Sequence, residues 1–320
     1  MIGRRGRFLV FIYIILLVVL FLMCSTDLII REPEKEIYQI AVIIEDVRSD
    51  NYSNFRKGMD QAAIDFNMDV RFITLYEKSN VEQQIELIHR EQQDGVDALI
   101  VVPADEQQIT NIQTMVPVIY LCSQRAKGSG EGSISIDYER MGEHLAHKML
   151  EDIPKEGSVL ILTDPTRQSD IDRLFVEGAA AVFEDEEYST RKIARNEEVG
   201  FEEALKELEM KADEKIVILA ENQDILTEAA RTLADDPAVA ECVNGVYGRG
   251  NTISNLNYLD RGQITGICVT DDFSIGYLSV CAASQALEGA DSSLIEMDFY
   301  YIEKEDLREP AYEKLLFPIE

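Results

Sequence analysis

The strongest constraint on the fold is a recurring alternation. Short runs that are apolar almost without interruption are "IAVII" (Ile40–Ile44), "DALIVVP" (Asp97–Pro103), "VPVIYLC" (Val116–Cys122), "VLILT" (Val159–Thr163) and "IVILA" (Ile216–Ala220). Between them lie stretches with apolar residues at helical spacing, such as Phe55, Met59, Ala62, Ala63 and Phe66, or Val81, Ile85 and Ile88. A strand that is apolar throughout has to be covered on both faces. Parallel sheets flanked by crossover helices achieve this; one-sided antiparallel sheets do not. The pattern restarts after Leu150, and it contains more strands than one sheet of this size needs. The chain is therefore expected to be α/β, with two doubly wound parallel-sheet lobes.

Ligands of such sheets bind beyond the carboxyl ends of the strands. Polar tips stand at those ends: Glu45 to Tyr52, Asp105, "TDPTRQSD", "ENQD" and "TDD". Two facing lobes would bring all five to one cleft. Tyr52 offers a ring for an apolar face, and Glu45, Asp50 and Asn51 offer hydrogen-bonding groups.

The formal charge of −30 argues against nucleic acid as a partner, because phosphates would be repelled. Ahead of the α/β pattern, Arg4, Arg5 and Arg7 precede an apolar run from Phe8 to Cys24. About 17 residues is the lower limit for crossing a bilayer. Arginines on the leading side would keep the N-terminus inside. The expectation is that residues 1–30 form a cytoplasmic tip and a membrane anchor or signal with a single transmembrane helix, giving a cell-membrane location and a bulk that is extracytoplasmic. A lipidated Cys24 and a cleaved signal remain open. Cys122, Cys242, Cys268 and Cys281 are widely spaced and read as thiols, with one disulfide left open. His144 and His147 lack a companion carboxylate motif and read as a solvated helix face. No nucleophile, P-loop or metal motif stands out, so no enzyme and no cofactor is expected.

In order and spacing the motifs resemble the type I periplasmic sugar-binding proteins, the ribose-binding-like branch, from Tyr38 to Leu307. "IAVIIEDVRSDNYSNFRKGMDQAA" is similar to that family's first strand, ligand loop and helix, and "DGVDALIVVPAD", "VPVIYL", "IDYERMG", "RQSDIDRLFVEG" and "ILAENQ" follow in family order. The resemblance implies three hinge crossovers. It divides the chain into a linker at 31–37, one lobe of 38–136 plus 271–300, and another of 137–270 plus 301–320. It implies that Arg173 clamps a sugar, that Asn222 contacts it, and that Asp137 organises the hinge. The chain departs from the pattern at Cys122 and Ser123, at Tyr247 in place of an aspartate, and at Thr270, so Glu45, Asp271 or Asp272 would supply the carboxylate. The implied function is a membrane-tethered solute-binding protein closing on a small polar ligand, a carbohydrate or another solute. Its partner would be an ABC permease or, alternatively, a sensor histidine kinase.

Overall fold

A computed structural model describes residues 4–25, 37–123, 132–166, 169–196, 198–206, 215–290 and 294–318. The chain forms two compact units, 1–37 and 38–320. The first holds one helix, α1 (Arg4–Ser25). Its side chains from Phe8 to Leu22 are exposed. The apolar run from Phe8 to Cys24 stands at the lower limit of about 17 residues for crossing a bilayer. Among the described residues no helix is long and apolar enough to cross a membrane. This overturns the transmembrane segment and the single-pass membrane location expected from the sequence. The Cys24 side chain and most of the linker, residues 31–36, lie outside the described residues.

The second unit contains two six-stranded sheets. The first lobe runs β1 (Gln39–Ile43), α2 (Ser53–Phe66), β2 (Asp69–Ile73), α3 (Val81–Gln93), β3 (Ala98–Val101), α4 (Glu106–Thr110), β4 (Val118–Ser123) and β5 (Gly132–Ile136). The second runs α5 (Tyr138–Glu151), β6 (Ser158–Thr163), α6 (Asp170–Asp185), β7 (Ser189–Ala194), α7 (Glu202–Lys206), β8 (Ile216–Ala220), α8 (Gln223–Asp235), α9 (Pro237–Cys242), β9 (Val243–Arg249), α10 (Ile253–Arg261) and β10 (Gly266–Thr270). The chain then returns as α11 (Asp272–Leu287) and β11 (Ile295–Met297) and ends in β12 (Phe299–Glu303) and α12 (Pro310–Leu316). The strand orders are β11-β5-β4-β3-β1-β2 and β12-β10-β9-β8-β6-β7. All pairings are parallel except β12 with β10.

The chain passes between the sheets at Asp137, at Asp271 and at Asp298. The first two aspartates cap the helices that follow, accepting from the backbone N–H of Arg140 and Ser274 at 3.0 Å each. Such caps fix where a helix starts and hence where its first side chains sit.

The two-sided burial expected from the apolar runs is present. In β1, Ile40 and Val42 pack on one face and Ala41 and Ile43 on the other, all fully buried. In β6, Val159 and Ile161 oppose Leu160 and Leu162 in the same way. Half-exposed strands lie at the edges: β2, β7, β11 and β12.

Each lobe also carries a tightly packed helix pair. A Cβ on Gly58 of α2 would fall on the carbonyl oxygen of Phe273 in α11, and one on Gly276 would fall on that of Phe55. The second lobe repeats the device, with Gly142 of α5 against the Phe175 carbonyl and Gly178 of α6 against that of Glu139. The obstacle is backbone, which cannot rotate away. Gly276→Ala gains about 1 kcal/mol in helix propensity but has to push two helices apart. We expect a net loss of about 2 kcal/mol, within the usual overpacking range, seen as a lower urea midpoint. An unchanged midpoint would contradict this account of the pair.

Candidate functional site

Past the end of β1 the chain turns sharply, and Asp46 makes the turn. Its carboxylate accepts from the N–H groups of Val47 at 2.6 Å and Arg48 at 3.1 Å, and from Asn51 Nδ2 at 2.8 Å. A short 3-10 turn, Ser49–Tyr52, then delivers Asn51 and Tyr52 to the cleft. The Tyr52 ring packs edge-on to Phe55, centroids 6.0 Å apart, and its hydroxyl donates to Glu45 at 2.6 Å. From the opposite lobe, Asn222 caps α8, its side-chain oxygen accepting from the N–H groups of Asp224 and Ile225. Asp172 sits in a capping box with Ser169 at the start of α6. Arg249, at the tip of β9, pairs with Asp172 and lies over the rings of Tyr138 at 5.5 Å and Phe175 at 5.8 Å. Its Nε is buried and, among the described residues, has no hydrogen-bond partner.

These groups surround a cavity of about 120 Å³ between the two lobes. At roughly 10–15 Å³ of such space per water, it holds on the order of ten non-hydrogen atoms, the size of a monosaccharide. Val102, Leu121, Ile134, Ile136 and Met141 supply an apolar side, and Asn51, Asn222, Gln223 and Asn251 supply amides.

Polar contacts bridge the lobes around it. Arg48 pairs with Asp224, Asn51 Nδ2 donates to Asp224 at 3.2 Å, and the Glu106 N–H donates to Asp170 at 2.8 Å. Lys57 reaches the Pro318 carbonyl at 3.1 Å, and Asn54 the Leu316 carbonyl at the same distance. The chain is therefore in a closed conformation.

Of the residues singled out from the sequence, the structure brings Glu45, Asn51, Tyr52, Asn222 and Asp272 into the cavity wall. It does not bring the others. Asp50 is exposed on the 3-10 turn, Asp105 caps α4 at 2.7 Å from the Gln108 N–H, and Asp137 caps α5. Arg173 is directed along its own helix surface to Asp170 at 2.8 Å and Glu177 at 3.0 Å. Successive helical residues point about 100° apart, so Asp172 faces the cavity and Arg173 does not. Tyr247 is fully buried with its hydroxyl on Asp152. It shares a strand face with Arg249, but only Arg249 is at the tip.

Sequence reasoning assigned no site role to Lys78, Tyr138, Asp172, Arg249 or Asn251, and Asp46 entered only as part of the Glu45–Tyr52 tip. Arg249 stands at the tip of β9 and so obeys the same strand-tip rule as the residues expected at the cleft. Lys78 follows an edge strand and gave no comparable signal.

Burial, and next the neighbouring Asp46, push the Glu45 carboxyl up to about 7, although Tyr52 donates to it. Burial likewise pushes Asp272 up to about 6, against a hydrogen bond from Thr270 at 2.6 Å. Burial would raise Asp172 too, but Arg249 and Lys78 outweigh it and hold that carboxyl below its usual range. Cys122, also in the wall, is pushed up to about 12 by burial and is an unreactive thiol. Cys122, Cys242, Cys268 and Cys281 are all free.

Residues 40–291 match the sequence profile of the periplasmic binding protein domain. The chain belongs to this family. The sequence resemblance had pointed to the same family, and two facing parallel-rich sheets are its type I architecture. No curated protein matches the chain significantly.

Among solved structures of similar fold is a carbohydrate-transporter solute-binding protein from Agrobacterium radiobacter in complex with D-arabinose. It has a TM-score of 0.76 and 17% identity, covering 88% of this chain and all of that one. An ABC transporter solute-binding protein from Agrobacterium vitis, bound to α-D-tagatopyranose, has a TM-score of 0.75 and 18% identity over the same shares. One from Bacillus halodurans with bound myo-inositol has 0.70 and 18%, covering 88% of this chain and 99% of its own. At such identities the likeness shows the fold of this periplasmic binding protein domain.

The raised Glu45 value links this domain's stability to pH. The folded state holds the Glu45 proton more tightly than the unfolded chain, whose ordinary value is 4.5. That contribution is complete below about pH 4.5 and is lost as pH rises through about 7. Glu45→Gln keeps a neutral acceptor for Tyr52. Relative to wild type it should gain on the order of 2–3 kcal/mol between pH 4.5 and pH 8 in urea unfolding. Parallel pH profiles for the two proteins would contradict this.

Proposed function

We propose that this chain is a solute-binding protein that encloses a small polyhydroxylated ligand, a carbohydrate or cyclic polyol, and passes it unaltered to an ABC-type importer. The observation that carries this reading is the cavity itself. It is of monosaccharide size and is walled by both lobes. It combines carboxylates, amides and a guanidinium with the rings of Tyr52 and Tyr138 and an apolar side. Sugar hydroxyls both donate and accept, so they suit a wall of mixed polarity, and the C–H face of a sugar ring suits an aromatic one. Proteins of similar fold described as bound to D-arabinose, α-D-tagatopyranose and myo-inositol support the ligand class, and their description as transporter components supports the partner. A histidine-kinase sensor has no counterpart among them.

In this reading Arg249 is held rigid by Asp172 and two rings and donates to ligand oxygens. Asn51 and Asn222 approach from opposite lobes. Glu45 and Asp272 accept from hydroxyls, and binding closes the lobes by population shift.

Calorimetric titration with D-arabinose, D-tagatose and myo-inositol tests it. At least one should bind and raise the melting temperature with concentration. Arg249→Ala should weaken that binding at least tenfold, since a hydrogen bond to a charged group contributes about 1.5–3 kcal/mol. Arg173→Ala, on the outer surface of α6, should bind like wild type. Conversion of the solute to a product, or equal binding by the Arg249 variant, would overturn the assignment.

A further inference from the structure

Lys78 lies in the connection between β2 and α3, and its backbone surroundings are fixed. The Leu75 N–H donates to the Asp46 carbonyl at 3.0 Å and the Ser79 N–H to the Glu45 carbonyl at 2.8 Å. Asn80 then caps α3, accepting from the Gln83 N–H at 2.9 Å. The side chain enters the cavity wall, where only 13% of it is exposed. Its ammonium has three donors, yet among the described residues it has no hydrogen-bond partner. The nearest carboxylates are Asp224 at 3.9 Å and Asp172 at 4.0 Å, close enough for attraction but too far for a hydrogen bond. Both belong to the opposite lobe. A largely shielded ammonium gains from an acceptor beside it, and the two carboxylates within reach of its charge already have other partners. Asp172 is committed to Arg249 and its capping box, and Asp224 to Arg48 and Asn51.

We propose that Lys78 is a specificity-determining residue of the cavity: its ammonium donates to an oxygen of the enclosed solute, and its charge, facing Asp172 and Asp224, draws the second lobe over that solute. This rests on the solute-binding reading above. A ligand has to present an acceptor beside Lys78, so a deoxy analogue at that position binds weakly. The residue thus joins recognition to closure, since it faces both the cavity and two carboxylates of the second lobe.

The test uses the full chain with Lys78→Met, which keeps the stem and removes the donor and charge, and Lys78→Gln, which keeps a donor without charge. Calorimetry with D-arabinose, D-tagatose and myo-inositol is paired with small-angle scattering of the ligand-free proteins. The Met variant is expected to bind the wild type's ligand at least tenfold more weakly, with the Gln variant between them. Both variants are expected to show a larger ligand-free radius of gyration than wild type. Met-variant binding within twofold of wild type overturns the role of Lys78 while leaving the solute-binding reading intact. If wild type binds none of the three, that reading fails for this panel, and scattering decides the present one. Expansion in the variants supports it, and identical radii overturn it. Should the Met variant fail to fold by circular dichroism, the Gln variant carries both measurements.

Discussion

The cavity depends on how closely two pairs of helices approach. Gly58 with Gly276, and Gly142 with Gly178, allow backbone to meet backbone where any side chain would intervene. The contacts sit within about two and a half turns of the helix starts, so they fix the N-terminal ends of α2 and α11, and of α5 and α6, relative to each other. The residues at those ends are Tyr52, Asp272, Tyr138 and Asp172, and all four line the cavity. A device that at first concerns packing alone thereby sets the spacing of functional groups. The amino ends of the helices also carry partial positive charge, which suits the carboxylates of Asp172 and Asp272 placed there.

Much of this was legible in the sequence because the middle residues of β1, β3, β6 and β8 are apolar and buried on both faces. Legibility fell at the sheet edges. The three-residue β11, half-exposed, was not read at all. The N-terminal run misled because its composition is apolar while its length is marginal; hydrophobicity alone does not measure reach.

The site was legible by the same physics. Strand tips gave Glu45, Asn51, Tyr52, Asn222 and Asp272. Two of the misplaced residues stand one or two positions from a residue of the cavity wall. Arg173 stands beside Asp172, and Tyr247 two residues before Arg249. On a helix one position turns a side chain by about 100°, and on a strand two positions keep the face but change the depth. Order and spacing of motifs locate a loop, but which side chain turns inward depends on packing that only three dimensions reveal.

The contacts that span the cleft carry a consequence for how the molecule answers its medium. A chain of formal charge −30 has two acidic halves that repel one another, so shutting works against its own field. Dissolved electrolyte weakens that repulsion, which acts over distances longer than the ~8 Å Debye length of physiological buffers. The short pairs Arg48–Asp224 and Arg249–Asp172 are partly or largely shielded from water and lose less. Moderate ionic strength should therefore favour the shut form, the reverse of what counting its ion pairs would suggest.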